Sequence, residues 1–125
     1  MPKITAKSVY ALAALYYLLQ QPGGGPHTIE EIAKGAGVPK NFLEQILLSL
    51  KRAGILKSVR GARGGYILAK DPAAIRVLDV VEAVESECCS EICKTANPVL
   101  ERFWRSFAAH VRSFLTRPIT ELEGP

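Results

Sequence analysis

Glycines and a proline punctuate residues 29–66 so closely (Gly35, Gly37, Pro39, Gly54, then Gly61, Gly64 and Gly65) that two short helices and a hairpin are the elements that fit between them. Thr28 can cap the first helix, with Glu31 reaching back in the reciprocal arrangement of a capping box. That helix is short. Gly35 and Gly37 bracket a tight turn where positive φ costs little, and Val38-Pro39 restarts the chain, proline being pre-set for the first position of a helix. Two helices joined by a Gly-containing turn form a DNA-reading unit. Ile32, Ala33, Gly37, Val38, Leu43 and Ile46 carry residues compatible with the turn and the shared core of such a pair.

The second helix, about Pro39 to Ala53, places Phe42, Leu43, Ile46, Leu47 and Leu50 on one face at helical spacing. Lys40, Asn41, Glu44, Gln45, Lys51 and Arg52 are left on the other. Asn and Gln can pair bidentately with adenine, and Glu can accept from cytosine N4. Lys and Arg supply phosphate contacts that position without specifying. The bland reading, the solvated side of an amphipathic helix, competes until the next segment is considered. Gly54 ends the helix, Ile55 to Arg60 has the β-branched, partly alternating character of an exposed strand, Gly61 to Gly65 turns, and Tyr66-Ile67-Leu68 returns. This is a hairpin wing with Arg60 and Arg63 at its tip, suited to the negative potential of the minor groove. A nucleotide-binding loop is disfavoured, because no Lys-Ser/Thr pair and no helix follow the glycines.

Charge distribution agrees with a nucleic-acid partner. Residues 1–70 carry ten Lys/Arg against three Glu, a balance of +7, whereas residues 71–125 balance at −3. The basic charge sits with the reading head. At 125 residues the chain can bury one proper core plus an appended element. No apolar run approaches the roughly 20 residues of a membrane helix, and the N-terminus lacks the pattern of a signal peptide. A cytoplasmic location with reduced thiols is expected. No nucleophile–base–orienter set or paired carboxylates can be picked out, so an enzyme is not expected.

Before the head, a helix over about Thr5 to Gln20 is apolar almost all round, which predicts burial on more than one side. Tyr10, Tyr16 and Tyr17 read as core and rim residues, and Pro22 to Pro26 as a flexible turn. His27 reads as a surface residue near a helix start, the alternative being a metal ligand or pH-sensitive group. After the wing, Asp71-Pro72 resembles a cap and first helical position, and Val77 to about Ser86 a largely buried helix. All three cysteines, Cys88, Cys89 and Cys93, then fall within six residues. In a helix, Cys89 and Cys93 would have Cβ atoms about 5–6 Å apart, beyond the roughly 3.5–4.5 Å of a disulfide. In a loop, the three thiolates could bind an iron–sulfur cluster or zinc with a fourth ligand from elsewhere. Flanking Glu87 and Glu91 disfavour a spontaneously reactive thiol, and a redox thiol site or no chemistry at all stay open beside the metal readings.

Asn97 caps the last helix, Pro98 takes its first position, and Pro118 stops it after Arg117. Leu100, Phe103, Phe107, His110 and Phe114 recur at spacings of three and four, a coiled-coil-like seam, beside a second stripe of Trp104, Ala108, Val111 and Leu115. So wide an apolar face predicts an interface. A homodimer, pairing this helix with its mate and with helix one, would present two heads to a pseudo-palindromic duplex.

The combination of Tyr10-Ala11-Leu12, Glu31-Ile32-Ala33, Phe42 to Leu47, Ala53 to Leu56, Ser58 to Gly61, Gly64 to Ala69 and Val80 to Glu85 resembles the Rrf-two (Rrf2) family of bacterial winged-helix regulators along nearly the whole chain. The resemblance implies a dimeric transcriptional regulator, usually a repressor, with Asn41, Glu44 and Gln45 reading bases and Arg60 in the minor groove. It also implies an iron–sulfur cluster held by three cysteines before the dimerisation helix, where Cys88, Cys89 and Cys93 stand. Their spacing is tighter than the family pattern, and Val9 occupies the place from which some relatives supply a carboxylate.

The expected fold is therefore mainly α: a winged helix-turn-helix DNA-binding head over 1–76, then a sensory cysteine loop and long dimerisation helix over 77–125, packed with helix one as a single compact unit. Double-stranded DNA and a second copy are the expected partners, with an iron–sulfur cluster, or otherwise zinc or no cofactor. A winged-helix protein-interaction module regulated by a partner enzyme, without a cluster, is the competing reading, and a partner protein is possible.

Overall fold

In a computed structural model, which describes residues 4–85 and 97–123, Thr5 begins helix α1 (Ala6–Gln20) by accepting the Lys7 amide at 3.2 Å. Ala11, Ala14, Leu15 and Leu18 of α1 are buried, and the helix packs against α2 (Ile29–Ala36), α3 (Lys40–Arg52) and α4 (Val77–Val84). The expectation that α1 serves several neighbours holds. Its small alanines let the other helices approach closely. Burying each Leu or Ile of this core contributes about 1.5–3 kcal/mol relative to exposure, and Ile32, Leu43, Leu47, Leu50, Ile55 and Leu78 are all at 1% exposure or below.

Local signals set the boundaries of α2 and α3. Thr28 Oγ1 accepts the Glu31 amide at 3.2 Å; Glu31, however, sends its own carboxylate to His27 Nδ1 at 2.9 Å. Only the threonine half of the expected capping box forms. Gly37 closes α2 in the left-handed region, φ 69°. Gly35 is part of the helix rather than the turn, and a Cβ there would collide with the Tyr17 ring. Pro39 is the residue before α3, with ψ 132°, and not its first helical position. Its carbonyl nevertheless accepts from Phe42 and Leu43 and so starts the helix.

Gly54, φ 78°, follows α3 and turns the chain into β1 (Leu56–Val59), which pairs antiparallel with β2 (Gly65–Leu68) in the register Leu56 to Leu68 and Val59 to Gly65. A 3-10 turn at Pro72–Ala74, capped by Asp71, leads to α4. That helix ends at Val84, slightly earlier than the hydrophobic pattern predicts, with Glu85 already extended. After the undescribed segment, Asn97 Oδ1 accepts the Val99 amide at 2.9 Å and opens α5 (Pro98–Phe114). The helix stops at Phe114, three residues short of the expected Arg117. The chain then returns to the body: Val77 donates to the Arg117 carbonyl and Leu78 to the Leu115 carbonyl, at 2.9 and 2.7 Å. A last 3-10 turn, Ile119–Glu121, lies against α1 and buries Ile119. None of the residues of α5 itself is buried.

Candidate nucleic-acid interface

Helix α3 turns Leu43, Ile46, Leu47 and Leu50 into the core, so the opposite face projects outward. Lys40, Asn41, Glu44, Gln45, Lys51 and Arg52 are all exposed on it. Lys40 Nζ meets Glu30 Oε1 at 3.0 Å, bridging the start of α3 to α2. The hydrogen bond and charge of Glu30 raise the Lys40 pKa, and Lys40 in turn lowers that of Glu30.

The wing is fixed to the helices at its base. Ile55 donates to the Leu50 carbonyl at 3.0 Å and Ala69 to the Ile55 carbonyl at 2.9 Å, tying the hairpin to the end of α3. On the other edge, His27 and Tyr66 exchange backbone hydrogen bonds of 3.1 and 2.7 Å. That exchange brings β2 against the start of α2. Gly65, φ 150°, passes so close that a Cβ would strike the His27 carbonyl. Beyond this anchor the turn carries exposed Arg60 and Arg63. An open cleft lined by Thr28, Glu30, Arg60, Gly61 and Tyr66 runs between wing and α2. His27 itself has a structural setting, its ring paired with Glu31 and edge-on to Tyr17 with centroids 5.6 Å apart.

Two apolar residues of α3 depart from the expected amphipathic division. Phe42, placed on the core face by its spacing, is 52% exposed and braced by Tyr10 with ring centroids 5.7 Å apart. Leu48, an apolar residue at the helical spacing of the polar face, is 42% exposed among the polar residues. Its position seven residues after Asn41 was the available signal.

The seam residues of α5 are likewise outward: Leu100, Phe103, Phe107, His110 and Phe114 are all exposed. Of the second stripe, Trp104 is exposed while Ala108, Val111 and Leu115 are half-buried. Phe103, Trp104 and Phe107 meet edge to face, with centroids 5.1 and 5.9 Å apart. His110 Nδ1 lies 2.9 Å from the Ser106 carbonyl of the preceding turn. Cys88, Cys89 and Cys93 lie outside the described residues. Among the described residues no three His, Cys, Asp or Glu side chains are grouped to hold a metal, and no helix is long and apolar enough to cross a membrane.

A helix-turn-helix braced by a third helix, with a two-stranded wing anchored beside it, defines a winged-helix DNA-binding protein. The chain belongs to the Rrf2 family: the family model, described as an iron-dependent transcriptional regulator, matches residues 4–118. It is 33% identical over 103 residues to the HTH-type transcriptional regulator CymR of Bacillus subtilis, a match covering 82% of this chain and 75% of that protein. The solved structure of B. subtilis CymR, described as the global cysteine regulator, superposes with a TM-score of 0.84 at 31% identity, covering 98% of this chain and 96% of the other. That of T. potens IscR gives 0.80 at 33% identity, covering 94% and 83%. This chain is thus a DNA-binding transcriptional regulator of winged-helix fold.

Proposed function

We propose that the chain acts as a homodimeric repressor whose two heads read the half-sites of a pseudo-palindromic operator. In each head Asn41, Glu44 and Gln45 contact base edges, Lys40 contacts phosphate, and Arg60 with Arg63 enters the adjacent minor groove. The observation that carries the reading is that one chain presents two outward faces of different character. One is the polar face of α3 beside the anchored, arginine-tipped wing; the other is the apolar face of α5. Leu100, Phe103, Phe107 and Phe114 are each 42–61% exposed on α5, a cost that a second copy of the helix removes. Leu100, Phe103, Phe107, His110 and Phe114 form the proposed seam. Selection of binding sites from random duplexes, followed by footprinting, tests the reading. Two protected half-sites with dyad symmetry are expected, and protection of a single asymmetric site contradicts it.

We further propose that the signal enters through Cys88, Cys89 and Cys93. Support comes from the compact set of three soft ligands and from the description of the matched family as iron-dependent. Glu85, the last described residue before this segment, is tied to the start of α1, which packs against α2 and the reading helix α3. An iron–sulfur cluster bound there would supply sensitivity to oxidants and to iron supply. An anaerobic absorption spectrum of the protein as purified separates the chemistries. Broad visible bands that bleach in air identify the cluster; a featureless spectrum favours zinc, thiol chemistry or a purely protein-mediated signal.

A further inference from the structure

Four residues of α3 stand at the spacing i, i+3, i+4 and i+7 on its outward face: Asn41, Glu44, Gln45 and Leu48. A helix laid along the major groove reads bases with this set, because at 3.6 residues per turn these side chains form one stripe; the homeodomain recognition helix uses the same spacing. Three members of the stripe are polar groups suited to base edges. The fourth is a leucine.

Burial does not account for that leucine. Leu48 is 42% exposed, whereas its neighbours Leu47 and Leu50 are fully buried, so the core of the helix is complete without it. It lies three residues beyond Gln45 and four before Arg52, surrounded by groups that water or DNA would solvate. The major groove offers one apolar feature, the 5-methyl group of thymine, and apolar side chains recognise it by contact.

We infer that Leu48 is a further specificity-determining residue, packing against a thymine 5-methyl in each half-site. The inference rests on the proposed placement of α3 in the major groove. Leu48 fixes the identity of one base pair that Asn41, Glu44 and Gln45 leave unread, and it does so by removing apolar surface from water rather than by hydrogen bonding.

The test uses the full chain and a duplex enriched from a random pool. Each thymine of one half-site is replaced in turn by deoxyuridine, which deletes only the methyl group, and affinity is measured for the wild type and for Leu48→Ala. At one position the replacement weakens wild-type binding about fourfold, the expected effect of one methyl group removed from an apolar contact. Leu48→Ala, whose exposed site leaves the core intact, loses that sensitivity while keeping the other positions unchanged. Leu48→Met, still apolar, retains it. Methyl-insensitive binding by the wild type, or the same sensitivity in Leu48→Ala, overturns the inference while leaving α3 as the reading helix. Failure of the wild type to enrich any sequence overturns the groove placement itself, and the role of Leu48 with it.

Discussion

Ser8 Oγ donates to Glu85 Oε2 across 2.6 Å, joining the first turn of α1 to the residue that closes α4. The same carboxylate accepts from the Thr5 amide at 2.8 Å and from Thr5 Oγ1 at 2.9 and 3.0 Å. Glu85 is only 6% exposed, so a buried anion is held by the start of a helix, where amides and the helix dipole favour negative charge. The contact spans 80 residues of sequence. Replacing Glu85 with Ala leaves buried Ser8 and the Thr5 amide without this acceptor and costs about 1–3 kcal/mol of stability. Chemical denaturation checks this, and an unchanged midpoint at unchanged slope contradicts it.

The same group makes stability depend on acidity. Burial pushes the Glu85 carboxyl up, but hydrogen bonds from Ser8 and Thr5 outweigh it and hold the group below the usual glutamate range. Its contribution is therefore fully present above the pKa of an unfolded glutamate and is lost as the pH falls through the lowered folded value. Melting temperature should drop more steeply on acidification for the wild type than for Glu85→Gln. Parallel pH profiles of the two proteins would falsify this role.

Gly65 is the point at which the wing passes the chain before α2. A side chain there meets the His27 carbonyl, and φ 150° favours glycine in any case. Gly65→Ala is expected to open the His27–Tyr66 bridge, at a cost of about 1–3 kcal/mol for the strained backbone. DNA affinity falls with the displaced wing, while the proposed association through α5 is unaffected. Hydrogen exchange at the Tyr66 amide reports the opening directly; continued protection there would count against the anchor.

On the reading face, Gln45→Ala should remove about 1–3 kcal/mol of discrimination at one base pair. Arg60→Ala should weaken binding and make the log–log salt dependence shallower by up to about 0.9 for each phosphate that the arginine no longer neutralises. Neither change alters the mass of the free protein's assembly. Fluorescence anisotropy at several salt concentrations gives both binding quantities, and unchanged binding by both variants removes these residues from the interface.

Phe107 sits 42% exposed at the centre of the α5 stripe and 5.9 Å from the Trp104 ring. A charge placed there is tolerated by a lone solvated helix and not by an apolar seam. Phe107→Glu should convert the proposed dimer to monomer by light scattering without loss of helical circular dichroism. A mass that does not change identifies another surface as the interface.

Local punctuation made most of the fold legible. Thr5, Thr28, Asp71 and Asn97 all cap the elements they precede, and Gly37 and Gly54 adopt the positive φ expected of helix ends. Family resemblance then pointed to the same outward residues of α3. What escaped depends on contacts between side chains that no local pattern specifies. Glu31 satisfies His27 instead of completing a cap, Gly35 is demanded by the Tyr17 ring, and Phe42 leaves the core face to lean on Tyr10. The partners of Glu85 escape any local pattern, because its donors Thr5 and Ser8 are near the other end of the chain. The last helix ends before Arg117 because the chain must turn there to pair with Val77 and Leu78.

Native mass spectrometry of the protein with an enriched duplex tests the central claim most directly. Two chains per duplex are predicted, together with a dimer in the absence of DNA. One chain per duplex, or no complex with any enriched sequence, would contradict it.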